Sequence, residues 1–259
     1  MSTRALDGVG VVITRPREAA EALAAALAAR GARPFIFPAL SIEPVPASAA
    51  LDAALERLPS CPLAIFVSAN AVEHGLAAAR ARGAWPESAA VAAIGEATAR
   101  ALRNSGFSHV ISPAQRHDTE ALAALPELQE ARVRGENVLV FRGEGGRERL
   151  KQILEARGAT VTDAECYRRV RPEGDARGLL AAWARGEVHA VSALSGETLA
   201  NFVAMVGDEG VERLAGAALV VPHEAVAAHG EARRFARVIV AEPGAEGIAH
   251  ALSQIKVTS

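Results

Sequence analysis

Aromatic side chains are scarce in this chain. They make up 4% of its 259 residues, and only one of them is a tyrosine. The cores must therefore be built from alanine, valine and leucine, and Tyr167, in AECYRRVRP (164–172), calls for an account of its own. Cysteine is nearly absent too. Cys61 and Cys166 stand 105 residues apart without a CxxC spacing or a histidine companion, so reduced, buried thiols are expected rather than a disulfide or a zinc site. Positive charge is not in excess: 28 Lys and Arg against 30 Asp and Glu give a net charge of −2. Nothing in that balance attracts nucleic acid or anionic lipid, so an anionic ligand has to be held locally. No apolar run approaches the roughly 20 residues that span a bilayer, and the start lacks a cationic segment leading into an apolar one. A soluble, cytoplasmic protein without a membrane or nucleic-acid partner is expected. GxSxG and HExxH are missing, and the seven histidines are scattered, which argues against a serine nucleophile and against a bound metal.

What the chain does have is a series of short apolar runs. VGVVIT (9–14), PLAIFV (62–67), AAVAAI (89–94), NVLVF (137–141), VHAVSA (188–193), AALVV (217–221) and RVIVA (237–241) carry no polar alternation. That pattern suits parallel strands covered on both faces. Ala-rich helical segments separate them, two of which end at Gly31 and Gly158, the residue type that tolerates the left-handed conformation past a helix C-terminus. The fold class is α/β.

An internal repeat organises the chain further. With VVITRPRE (11–18) set above VLVFRGEG (138–145), Arg15 falls on Arg142 and Gly31 on Gly158, both at an offset of 127; Phe107 falls on Phe235 at 128. Two related halves are expected. PALSIEPVP (38–46) and AECYRRVRP (164–172) read as matched extended stretches, with Pro44 on Pro172. If both cross between the same two domains, the first domain is discontinuous, 1–38 with 173–259. Residues 39–45 and 164–172 are then linker strands, and 46–163 forms an inserted second domain. Tyr167 then lies in the linker, facing whatever ligand is held.

In open parallel sheets, ligands gather beyond the carboxyl ends of strands, where helices offer free N–H groups. Ser68-Ala69-Asn70, Gly95-Glu96-Ala97-Thr98, Leu194-Ser195-Gly196 and Pro222-His223 stand at such places. Helix capping accounts for any one of them; together they would make a carboxylate or phosphate cradle. FRGEGGRERL (141–150) follows a strand and opens a helix, but it lacks the Lys-Ser/Thr of a nucleotide loop, and Glu148 stands where the dinucleotide fingerprint has its third glycine. Arg15, Arg142 and Arg147 remain able to meet anions, although a surface ion pair is the commoner fate of an arginine.

In this order, VVITRPREAAEALAAALAARGARPFIFPALSIEP, IFVSANAVE, AAIGEATARALRNSGF, VLVFRGEGGRERLKQILEARGATV and ECYRRV resemble the uroporphyrinogen-III synthase family, over about residues 9–252. The resemblance implies two α/β domains joined by a two-stranded linker, an active site between them and no metal or organic cofactor. It implies closure of hydroxymethylbilane, a linear tetrapyrrole with acetate and propionate side chains, into uroporphyrinogen III, with inversion of the last ring and loss of water. Tyr167 matches the family's linker tyrosine, which is proposed to help the hydroxyl leave; a phenol is protonated near neutrality and can donate. Ser68, Thr98 and Ser195 match substrate-binding positions, with N–H groups at Asn70, Gly95 and Gly196, and Arg15, Arg142 and Arg147 beside them. Val67 and Leu194 depart from the hydroxyl residues that relatives often carry there. A transient contact with the upstream deaminase is a further expectation, and nothing demands more than a monomer. Two rival readings are a two-lobed binding module without catalysis and a nucleotide-dependent oxidoreductase, the second lacking a fingerprint.

Overall fold

The computed structural model describes residues 5–46, 48–146 and 148–255. The chain forms two compact units: one runs to Ser41 and resumes at Val170, and the other is Ile42–Arg169. Eleven strands are defined among the described residues: β1 (Gly10–Ile13), β2 (Arg33–Ile36), β3 (Ser41–Pro44), β4 (Leu63–Phe66), β5 (Ala90–Ala93), β6 (Val110–Ile111), β7 (Asn137–Gly143), β8 (Thr160–Val170), β9 (Ala190–Ser192), β10 (Ala218–Val221) and β11 (Arg237–Val240). All seven apolar runs are strands.

The first unit holds a parallel sheet in the order β11-β10-β9-β1-β2. Its central strands β1, β9 and β10 are buried on both faces, while the edge strands β2 and β11 are partly exposed. Val11 and Ile13 point into one apolar layer, with Leu23 and Leu27 of the helix Arg17–Ala28, while Val12 points into the other, with Phe202 and Leu199. Polar alternation would put a polar group into one of these layers, which is why the sequence shows none. The Gly10 N–H donates to His189 Nδ1 at 3.0 Å. Burial pushes His189 down from its usual value, toward the neutral form that this bond needs.

The second unit holds the order β3-β8-β7-β4-β5-β6, with β8, β7, β4, β5 and β6 parallel. Phe66 and Phe141 are register partners on β4 and β7, and their rings stack 4.5 Å apart. Such a pair adds about 0.5–1.5 kcal/mol beyond its buried area. The helix Ala69–Arg80 lies so close above it that a Cβ on Gly75 would come within 2.5 Å of Phe141.

Three features escaped the sequence pattern. RPFI makes strand β2 although it opens with arginine and proline, since it lies at a sheet edge and is only half-buried. The two-residue β6 is too short to show a period. Strand β8 begins at Thr160, ahead of the extended stretch expected at 164–172, and stops at Val170. Its opening alternates polar and apolar residues, so it did not read as a buried strand.

Candidate active site

In each sheet the chain changes direction once. Strands β4, β5 and β6 are laid down one way, and β7 then returns to the other side of β4. The helices after β4 and β7 therefore leave on opposite faces and open a crevice at the strands' carboxyl ends. A cavity of about 510 Å³ lies there, lined among others by Val67, Ser68, Arg142, Gly143 and Tyr167. In the first unit the same change of direction falls between β9 and β1, and a smaller cavity of about 120 Å³ lies beyond the ends of β9, β10 and β11, lined by Leu194, His223 and Glu242 among others, with Arg15 from the end of β1.

Tyr167 reaches the larger cavity because β8 is irregular. Arg142 pairs with Glu165 but Gly143 pairs with Tyr167, so Cys166 is an extra residue in a bulge. Regular alternation would send Cys166 and Tyr167 to opposite faces, yet both join the same core. The Cys166 thiol lies 3.5 Å from the Arg142 carbonyl, and burial pushes it up to about 12, so it stays a protonated donor. The Tyr167 ring lies flat on Gly143, where a Cβ would come within 2.6 Å of it. It is 4% exposed, and its hydroxyl lies 3.1 Å from Ser68 Oγ.

Ser68 caps the helix Ala69–Arg80, its Oγ accepting from the Ala71 N–H at 3.1 Å. A serine hydroxyl has one proton and two lone pairs. With one lone pair on Ala71, Ser68 can give its proton to the Tyr167 oxygen, which leaves the phenolic proton free to point at a ligand.

Arg142, at the end of β7, is 3% exposed. Its Nη1 donates a hydrogen bond to Asp163 at 3.2 Å and forms an ion pair with Glu148 at 2.9 Å, while its Nη2 is buried without a partner among the described residues. Lys151 donates to the other oxygen of Asp163 at 3.0 Å, and that hydrogen bond raises the lysine above its usual value. Arg15, the repeat partner of Arg142, lines the smaller cavity and carries a buried Nε without a partner among the described residues. Burial lowers it from the usual arginine value. Two buried guanidinium nitrogens without acceptors, one in each crevice, are donors set for an anion.

The other expected residues divide. Ser195 caps the helix Gly196–Leu214, its Oγ on the Thr198 N–H at 3.1 Å, and Gly196 follows against His229. Gly95 caps the helix Glu96–Asn104 without a side-chain bond, beside His117. Asn70 stands in the first turn after Ser68 but outside the lining of the cavity. Thr98 is 5% exposed, turned into the unit's interior and away from both cavities. Arg147 lies outside the described residues. Sequence reasoning missed Asp163, Lys151 and the pairing of Glu148 with Arg142; the one available sign was the polar alternation of TVTDAECY. It also missed Asp118, which caps the short helix Thr119–Ala123 and is held below the usual carboxylate range by the Ala121 N–H and by Arg116. No group of three or more His, Cys, Asp or Glu among the described residues could hold a metal ion, and no described helix is long and apolar enough to cross a membrane.

Comparison with known proteins gives this geometry its context. A family model described as uroporphyrinogen-III synthase HemD matches residues 21–249. The uroporphyrinogen-III synthase of Salmonella typhimurium is 36% identical over 193 residues, 74% of this chain and 77% of that one. That of Escherichia coli K12 is 32% identical over 199 residues, 76% of this chain and 80% of that one. The crystal structure of a uroporphyrinogen-III synthetase from Helicobacter pylori shares the fold, with a TM-score of 0.59 at 15% identity over 95% of this chain and 99% of that one. By the extent of the model match and by the identity to these relatives, the chain belongs to the uroporphyrinogen-III synthase family.

Proposed function

We propose that this chain converts hydroxymethylbilane to uroporphyrinogen III as a cyclising lyase that needs no cofactor, and that Tyr167 is its general acid. The observation that carries this reading is the Tyr167 hydroxyl, 3.1 Å from Ser68 Oγ at the mouth of a crevice that also holds a buried, partnerless arginine nitrogen. The terminal C–O bond of the substrate breaks as Tyr167 gives its proton to the departing oxygen, so water leaves. A delocalised azafulvene cation remains, while Ser68 donates to the phenolate. Ring D is then attacked at its substituted α-carbon through a spiro intermediate, and the proton released when the ring finally closes returns to Tyr167. Unassisted closure gives the type I isomer, so the protein's second task is to restrain ring D, which orientation alone can supply.

The remaining roles follow the same reading. Arg142 and Arg15 take carboxylates of the substrate through their partnerless nitrogens, and the helix starts at Ser68, Gly95, Ser195 and Gly196 offer further N–H groups. Arg147 stays a candidate by motif alone, and Thr98 and Asn70 are given no contact. The two units are read as domains joined by β3 and β8 and as a duplication. If the second part of the first unit is joined to its beginning and β3 is set aside, both sheets take the order 3-2-1-4-5, with Arg15 and Arg142 at the ends of equivalent strands. Work in the cytoplasm and substrate delivery by a transient contact with the upstream deaminase belong to the same proposal.

The test is to feed the purified chain hydroxymethylbilane generated in place, oxidise the products and separate the uroporphyrin isomers. Type III in excess over an enzyme-free control is expected. Type I alone would reduce the family likeness to a shared fold and favour a two-lobed binding module.

A further inference from the structure

The larger crevice holds an internal acid where the proposed function needs an open cation. The guanidinium of Arg142 is held from two sides by unequal partners: Asp163, with its side chain 19% exposed, and Glu148, with its side chain 56% exposed. Asp163 is tied down a second time by Lys151 at 3.0 Å. Glu148 has no such second tie among the described residues. It occupies the residue before the helix Arg149–Ala156, yet its backbone is helical (φ −80, ψ −5) and its side chain caps nothing. The acid of Glu148 is therefore spent on Arg142 and not on its own helix.

The local charges cancel: Arg142 and Lys151 against Asp163 and Glu148. Asp118, Glu120 and Glu144 also line the crevice, with Arg169, so what the departure of Glu148 changes is the pairing of the Arg142 guanidinium itself, which is left with Asp163 alone. Arg142 Nη2 needs no such displacement, since it has no acceptor at all among the described residues. Gly146 keeps the loop close over it, and a Cβ there would come within 2.8 Å of Nη2.

We propose that Glu148 is a built-in stand-in for a ligand carboxylate: it neutralises Arg142 while the crevice is empty and is displaced when a carboxylate arrives to bridge Nη1 and Nη2. The inference rests on the proposed function for the identity of that carboxylate, a propionate or acetate arm of the tetrapyrrole. The displacement itself does not depend on turnover. Because the leaving group is an exposed acid, the exchange costs little, and a buried cation is never left without a counter-ion. The arrangement also disfavours neutral ligands, which cannot replace the charge that Glu148 withdraws.

The experiment uses sodium propionate as the probe and the side-chain Nε–Hε resonance of Arg142 in the ¹⁵N-labelled full chain as the readout, assigned by its loss in Arg142→Gln. Propionate is expected to shift this line in the wild type, and Glu148→Gln is expected to tighten the apparent Kd about fivefold, the scale of an exposed ion pair removed from competition. In an Arg142→Gln background, affinity read from backbone amides of the same loop should be indifferent to Glu148→Gln. An Arg142 line that propionate does not move, a Glu148→Gln variant that binds no tighter than wild type, or tightening that persists without Arg142 would each overturn the stand-in. None of these results bears on whether the chain makes the type III isomer, so failure here and failure of the proposed function are separable.

Discussion

Replacing Tyr167 by phenylalanine is expected to lower turnover of hydroxymethylbilane about 10²-fold, the lower end of what a positioned general acid contributes. The ring stays where it is, flat on Gly143 and within the core of the second unit, because phenylalanine keeps the same apolar body. What is lost is the hydroxyl and its 3.1 Å bond to Ser68, worth about 1 kcal/mol of stability. The fall should therefore lie in kcat, with KM little changed, since the hydroxyl acts on the departing oxygen and not on the carboxylates that hold the substrate. As the enzymatic route slows, unassisted closure gains, and the share of the type I isomer should rise with it. A rate within about twofold of wild type would remove Tyr167 from the chemistry.

Removing Asp163 should have the largest effect on stability. In Asp163→Ala, Arg142 remains 3% exposed with only the exposed Glu148 to balance it, and Lys151 loses its acceptor. Because Asp163 is 19% exposed and Glu148 remains as a counter-ion, the cost stays below that of a fully buried pair, at about 1–3 kcal/mol. Asp163→Asn, which keeps an acceptor but not the charge, should lie in between. The two tryptophans fall one to each unit, Trp85 in the second and Trp183 in the first. In a Trp183→Phe background, Trp85 fluorescence thus reports the urea midpoint of the unit that holds Asp163. A midpoint equal to that of the Trp183→Phe parent would mean that Glu148 alone suffices as counter-ion.

The sheets were legible because burial on both faces leaves a simple mark, an apolar run without alternation. Each of the seven runs is a strand. Beta2 was hidden by its edge position and β6 by its length, while β8 was hidden by residues such as Asp163 that face charged partners. Tyr167 stood out as the chain's single tyrosine, but its partner Ser68 is 99 residues away, and the bulge at Cys166 that turns its ring follows from a shift of register that no local pattern encodes. Caps were read better than inward-facing helix positions. Ser68 and Ser195 do start helices, whereas Thr98, two residues into its helix, turns into the interior as Thr198 does after Ser195, at 5% and 3% exposure. A pairing such as Arg142 with Glu148 and Asp163 depends on two elements meeting and has no signature in one stretch of chain.

The central claim is that the tetrapyrrole sits against Tyr167 in the crevice between β4 and β7, and the single tyrosine makes the claim directly measurable. A chain labelled with ¹³C at the tyrosine ring carbon that bears the hydroxyl gives one resonance, assigned without further work, and uroporphyrinogen III can be titrated against it under anaerobic conditions. The account predicts that this line shifts progressively and saturates with the bound ligand. A line that stays in place while ligand absorbance shows the protein to be saturated would put the tetrapyrrole elsewhere and contradict the account.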